Sequence, residues 1–287
     1  MLANDTIVYW EDEQYGITHY LLANTSTIPL HRHLYLEVFI YLSGKIQYVI
    51  EGKTYTLERG DIILIGPDDL HHPIYDEGEP YERIVLYYYP KFMNSFPLDE
   101  ENRLDKCFQE ASKNSAHILR LQPHQINKLF DIIANIKHEA QTSHFAGRQM
   151  IKNYFIQFLI KLNRYYAFYS LNPEVVEISF DVKIDKIVQY INENLSEELS
   201  LDSLAKEFYM SKYYLLNEFK KYTGFTVHNF ISKKRLLLSK MLLSQGKSLK
   251  SVVGDSGYND YSNFLRAFKK EFGVSPMNFV KTFKAED

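Results

Sequence analysis

Gly257-Tyr258-Asn259-Asp260-Tyr261-Ser262-Asn263-Phe264-Leu265-Arg266-Ala267-Phe268-Lys269-Lys270-Glu271-Phe272-Gly273-Val274-Ser275-Pro276 decides how the last third of the chain folds. Asp260 is an N-cap residue type, and the helix that it opens runs to Phe272, where Gly273 stops it and Pro276 follows. A shorter helix, Leu249–Ser256, precedes it across the turn Gly257-Tyr258-Asn259. The same layout stands about fifty residues earlier. Leu201–Phe208 is the short helix, Tyr209-Met210 the turn, Ser211 the cap of Lys212–Tyr222, and Gly224 the stop. The endings agree as well, with Phe219-Lys220-Lys221-Tyr222-Thr223-Gly224 set against Phe268-Lys269-Lys270-Glu271-Phe272-Gly273. A short helix, a tight turn and a capped second helix with exposed polar groups form a helix-turn-helix, whose second helix enters a DNA major groove.

Outward from the repeat, Ile184, Ile187, Val188 and Ile191 predict an amphipathic helix ending near Asn194, and Ser200 caps the helix after it. Ala205 stands where a second helix must approach closely. Between the two units, Val227–Leu243 carries Lys233-Lys234-Arg235 and a Leu/Met-rich face. At 1.5 Å per residue it spans roughly 25 Å, a strut able to hold two recognition helices about one DNA turn apart, roughly 34 Å.

Charge separates this region from the rest. Residues 183–287 hold 17 Lys/Arg against 12 Asp/Glu and residues 1–182 hold 16 against 24, so a net charge of −3 hides a basic C-terminal part. Either a nucleic-acid surface or a solvated basic face has this balance. One cysteine, Cys107, excludes a disulfide framework and fits a reducing compartment. No apolar run reaches the roughly 18–20 residues that cross a bilayer, and Met1–Gly16 lacks the pattern of a secretory signal. The expected location is cytoplasmic, with no membrane partner.

From Ile28 to about Tyr89 the chain reads as short strands. Ile46–Ile50 and Lys53–Leu57 flank the turn pair Glu51-Gly52, and Ile62–Ile65 lies between Gly60-Asp61 and Gly66-Pro67-Asp68-Asp69, the spacing of a barrel or sandwich. The period then becomes helical. Ile126, Leu129, Phe130, Ile133 and Ile136 form one stripe, and Ile151, Tyr154, Phe155, Phe158, Leu159 and Leu162 a second, which either covers the barrel or makes a dimer seam. Asn172-Pro173 opens a linker.

Residues 31, 33, 35, 37, 39 and 41 share one face of a strand and read His, His, Tyr, Glu, Phe, Tyr, while the alternate face from Leu34 is apolar. Such a strand separates a packed core from a cavity. His72 follows the Ile62–Ile65 strand and enters from a neighbour. His31, His33, Tyr35, Glu37 and His72 are the candidate effector-binding set. Three readings stay open for the histidines and the glutamate: a small-molecule pocket, structural hydrogen bonding, or a metal site made of His31, His33, Glu37 and His72, whose ligand types suit Fe, Mn, Zn or Ni. The tyrosines and the carboxylate favour a polar ligand such as a sugar. No nucleophile–base pair or phosphate loop supports catalysis.

The C-terminal hundred residues resemble the DNA-binding domain of the AraC/XylS family of bacterial transcription regulators, on the stretch quoted first and on Leu204-Ala205, Ser211, Phe219-Lys220 and Gly224. His31-x-His33-x-x-x-Glu37, Gly44, Gly60, Pro67 and His72 resemble the two motifs of the cupin barrel; the glycine expected before the first motif is absent and Asp69 replaces that of the second. The resemblance implies an α+β chain: residues 1–97 a cupin-like sensor barrel, 98–171 a helical dimerisation segment, 172–181 a linker and 182–287 an all-α double helix-turn-helix domain. It implies DNA contacts from Ser211, Lys212, Tyr213, Leu216, Asn217 and Lys220 in the first unit, and from Asp260, Tyr261, Ser262, Asn263, Arg266, Lys269 and Lys270 in the second. Asn217 and Asn263 suit adenine edges, Arg266 guanine, and the lysines phosphates. Leu216, Val227 and Val253 depart from the polar residue, proline and alanine usual there, and Gly254 lies mid-helix. Expected partners are promoter DNA, a small-molecule effector, a second copy of the chain and, for an activator, RNA polymerase. No cofactor is certain, and a divalent metal in the barrel stays an open alternative. The alternative is a metal-dependent cupin enzyme or metal sensor with an appended DNA-binding module.

Overall fold

Alternating side chains divide the N-terminal unit into two apolar layers. The computed structural model describes residues 5–22, 28, 31–75, 79–93, 102–171 and 182–285. The chain folds as two units, Met1–Ser179 and Phe180–Asp287. In the first, the strands are β1 (Asp5–Glu11), β2 (Tyr15–Leu22), β3 (Leu36–Ser43), β4 (Ile46–Ile50), β5 (Lys53–Thr56), β6 (Ile62–Ile65), β7 (His71–Tyr75) and β8 (Tyr81–Tyr88). Helices α1 (Pro90–Met93) and α2 (Lys106–Asn114) follow, then β9 (Ile118–Leu119), α3 (Pro123–Ala140) and α4 (Gly147–Leu171). One sheet has the order β1-β2-β8-β3-β6-β9 and the other β5-β4-β7. All their pairings are antiparallel.

Phe39 and Tyr41 of β3 face the barrel interior, in one cluster with Tyr48, Tyr55, Tyr75, Tyr81 and Val85. Val38 and Ile40 face the other way and join Ile84 and Leu86 against α3 and α4. The period of two thus gives a barrel with an aromatic-lined interior and helices over one outer face. The β4–β5 hairpin stands as predicted, with Glu51 and Gly52 both at positive φ (53° and 83°), the conformation that matches a two-residue turn to the strand twist.

Three expectations change. The strand predicted from His31 begins at Leu36; Leu34 is exposed, and His31 meets His71 only in an isolated bridge. Glu37, Phe39 and Tyr41 therefore share a strand face, while His31, His33 and Tyr35 lie on the approach to it. The β1–β2 hairpin went unread because the register shifts between Val8 and Trp10, which breaks the alternation. The third change concerns residues 98–171, which are no separate segment: they supply β9 to the sheet and pack Leu129, Ile133 and Ile136 into the barrel's outer layer. Ile151, Phe155, Phe158, Leu159 and Leu162 of α4 are buried in that same layer, so this stripe covers the barrel and is not a dimer seam. Truncating Phe155 to alanine would cost about 3–5 kcal/mol. The predicted linker, 172–181, lies outside the described residues.

The second unit contains α5 (Val182–Glu193), α6 (Leu201–Glu207), α7 (Lys212–Thr223), α8 (Val227–Ser244), α9 (Leu249–Asp255), α10 (Tyr261–Phe272) and α11 (Pro276–Ala285). Side-chain oxygens of Ser200, Ser211, Thr226, Ser248 and Asp260 accept the backbone N–H groups that open α6 to α10. Gly224 and Gly273 end α7 and α10 in the left-handed conformation, at φ 73° and 75°. Val253 packs with Leu236, Leu243 and Phe264, so the larger residue is accommodated in the second unit's core.

Candidate DNA interface and effector cavity

On α7 the buried residues Leu215 and Phe219 are four apart, and on α10 Phe264 and Phe268 repeat this. An i, i+4 pair fixes one face of a helix inward, which leaves the opposite face to solvent. Tyr213, Leu216, Asn217 and Lys220 are exposed on α7, and Tyr261, Ser262, Asn263, Arg266, Lys269 and Lys270 on α10. Lys212 is exposed and pairs with Asp202 at 2.7 Å. Ser211 and Asp260 are exposed too, but their side-chain oxygens serve as caps, bonded to Tyr214 N at 3.2 Å and Asn263 N at 2.6 Å. Arg266 donates Nη2–H to the Asn263 amide oxygen, which ties the two side chains together on the exposed face. Helix α8, about 27 Å long at 1.5 Å per residue, separates the two helix-turn-helix pairs.

In the barrel, a cavity of about 360 Å³ is lined by His31, Tyr35, Glu37, Tyr48, Arg83 and Tyr87, among others. Beside it His33, Glu37 and His71 converge, with one potential ligand atom from each within 4.8 Å of the others. His33 Nε2 lies 3.1 Å from Glu37 Oε2. Nδ1 of His33 contacts the Tyr35 carbonyl at 2.8 Å, and Nδ1 of His71 the Asp69 carbonyl at 2.8 Å. A carbonyl only accepts, so both Nδ1 atoms carry a proton. His71 Nε2 is buried without a hydrogen-bond partner.

Burial pushes the Glu37 carboxyl up, but the His33 hydrogen bond and the nearby His71, His33 and Arg83 outweigh it and hold it below the usual carboxylate range. Burial drives His71 down to about 3 against the opposing pull of Glu37. His72, predicted to join this cluster, does not. Strand β7 alternates, sending His71, Pro73 and Tyr75 inward, and His72 stands on its other face, held at about 4 by burial. The inward histidine is His71, one residue before the position that the sequence predicts. Arg83 and Tyr48 were missed altogether. The signal for Arg83 was the alternation Tyr81, Arg83, Val85, Tyr87, which puts an arginine among aromatic and apolar residues on one strand face.

Two family models match the chain. One, described as an AraC-like ligand binding domain, covers residues 18–152, and the other, described as a helix-turn-helix domain, covers 204–282. Together they span about three quarters of the sequence and coincide with the cavity-bearing barrel and the paired helix-turn-helix unit. The chain belongs to the AraC family. It is a DNA-binding transcription regulator of that family with an N-terminal ligand-binding domain. It is similar to the HTH-type transcriptional activator RhaR of Mannheimia succiniciproducens, 22% identical over 89% of this chain and 88% of that protein. It is likewise similar to RhaR of Escherichia coli O139:H28, 25% identical over 86% of this chain and 84% of the relative. Unsaturated fatty acid bound ToxT from Vibrio cholerae, 16% identical, aligns over 98% of this chain and 97% of its own with a TM-score of 0.36.

Proposed function

We propose that this AraC-family regulator is switched by a small polar effector held in the barrel cavity, and that it activates transcription in the cytoplasm through RNA polymerase. The cavity carries the effector reading. It falls in the 300–1,000 Å³ range of small-molecule sites, and tyrosine rings, Glu37 and Arg83 converge on it. The activator reading rests on the two relatives, both activators. No catalytic step is assigned to the barrel. A homodimer on DNA would need a face other than the α4 stripe, which is spent within one chain.

The test measures affinity of the full chain for a promoter fragment captured from its own genome, with and without a small-molecule extract of the source cells. An effector shifts that affinity by about 5–150-fold, and Glu37→Gln abolishes the shift. An affinity indifferent to the extract, or a response retained when Val85→Phe fills the cavity, contradicts the reading.

A divalent cation is a second occupant that one observation favours. Both His33 and His71 commit Nδ1–H to backbone carbonyls, the arrangement that orients metal-ligating imidazoles, and turn Nε2 toward Glu37. His33, Glu37 and His71 would hold the ion, which would neutralise Glu37. Protein purified without chelator then carries about one metal per chain. His71→Gln removes it, and metal-free protein with an intact effector response retires this reading.

A further inference from the structure

Arg83 is the cavity's guanidinium. Its Cζ lies 4.7 Å from the ring centre of Tyr20, 5.1 Å from that of Tyr81 and 5.5 Å from that of Phe39. Ring faces attract a cation but leave the in-plane N–H fork without acceptors. Nε of Arg83 is buried with no hydrogen-bond partner. The acids around it are engaged elsewhere. Glu37 faces His33 at 3.1 Å, and Glu11 accepts from the Tyr87 hydroxyl at 2.9 Å. Glu82, next in the chain, sits on the opposite face of β8 and pairs with His19 at 2.8 Å.

We propose that Arg83 is an anion-recognition residue, and that the cavity takes a small hydroxylated carboxylate of the sugar-acid class. A planar carboxylate fits the guanidinium fork bidentately and supplies the acceptors that the rings cannot. Hydroxyl groups on the same molecule donate to Glu37 and Glu11, the acids in the wall. A neutral sugar offers the fork only uncharged hydroxyl oxygens, the weaker acceptors. A phosphate dianion meets two carboxylates with a single guanidinium to offset them, so a monoanion rich in donors is the better match. The inference rests on the cavity being the effector site.

Calorimetric titration of the full chain with D-gluconate, D-glucuronate and D-galacturonate, each against its neutral counterpart D-glucitol, D-glucose or D-galactose, tests it. At least one acid binds about tenfold or more tighter than its counterpart. Arg83→Met abolishes that preference, and Arg83→Lys, which keeps the charge without the fork, weakens it. The ligand-free melting temperature of each variant shows that the barrel still folds. Three results overturn the inference: a neutral counterpart binding as tightly as its acid, acid binding that survives Arg83→Met, or no binding by any of the three acids. None of them touches the effector reading, which falls if the extract leaves DNA affinity unchanged or if the response survives Val85→Phe.

Discussion

Arg235 on α8 donates its Nε–H to the carbonyl oxygen of Leu195 at 2.9 Å, and its Nη2 reaches the Glu197 carbonyl at 2.6 Å. Leu195 and Glu197 lie in the loop between α5 and α6, so the strut that leads to the second helix-turn-helix is fastened to the entrance of the first. Gly257, in the turn of the second unit, closes on the same spot. It stands at φ 78°, and a Cβ there would come within 2.1 Å of the Leu195 carbonyl oxygen. Strut, first loop and second turn therefore meet at one point, which fixes the two recognition helices relative to each other within this unit.

Two glycines three residues apart accordingly respond in opposite directions to the same substitution. Gly257→Ala forces a backbone collision and a left-handed alanine, and destabilises the C-terminal unit by about 1–3 kcal/mol or more. Gly254→Ala stabilises it by up to about 1 kcal/mol, because Gly254 lies inside α9 and a Cβ there meets nothing within 4 Å. Amide hydrogen exchange across α8–α10 in the full chain reads both. Equal effects of the two alanines would contradict the role given to Gly257.

Base reading and phosphate holding separate by salt. Arg266→Ala removes a candidate guanine contact, costs about 1–3 kcal/mol at a specific site and relaxes the sequence preference there. Lys269→Ala weakens binding to all sequences alike and lowers the slope of log affinity against log salt by about 1. Fluorescence anisotropy at several salt concentrations distinguishes them. An Arg266→Ala protein with unchanged preference would place the guanidinium off the bases.

Acid destabilises the barrel through its histidines. In chelator-treated protein the folded state holds His71 at about 3, against about 6.5 for an unfolded histidine. Between these values the unfolded chain binds the extra proton, so stability falls as pH drops from about 6.5, by up to about 1.4 kcal/mol per pH unit for one such group. His72, at about 4, adds in the same direction. Glu37, held low, adds a loss that begins only as the pH falls into the ordinary carboxylate range. Urea unfolding followed by Trp10, the sole tryptophan, reports the barrel. The slope is expected to flatten in His71→Gln, and an equal slope in that variant would remove His71 from the account.

The C-terminal unit was legible because its signals are local. Ser200, Ser211 and Asp260 cap helices where their residue type predicts, Gly224 and Gly273 stop them, and the repeat checks each unit against the other. The barrel was legible where turn residues bound short apolar strands, as at Ile46–Ile50 before Glu51-Gly52 and at Ile62–Ile65 between Gly60-Asp61 and Gly66-Pro67. It failed where pairing rather than pattern decides. The β1–β2 register shift hides a hairpin, and the bend at Leu34-Tyr35 detaches His31 and His33 from the strand of Glu37. Which of two adjacent histidines turns inward depends on the register of β7 against β4, where His71 pairs with Ile50 and His72 with Val49. A one-residue slip exchanges the faces, and sequence spacing does not set that slip. The α4 stripe shows the converse: a seam and a covering face have the same period, and only packing separates them.

The most direct test of two recognition helices acting as one reader is capture of fragments of the source genome by the purified full chain at physiological salt, followed by sequencing. The account predicts enrichment of a few promoter fragments that carry paired half-sites about one helical turn, or 10–10.5 base pairs, apart. Changing Asn217 to Ala erases the preference in one half-site, and changing Arg266 to Ala erases it in the other. Uniform, salt-labile capture with no shared spacing, or loss of both half-sites from either substitution, would contradict it.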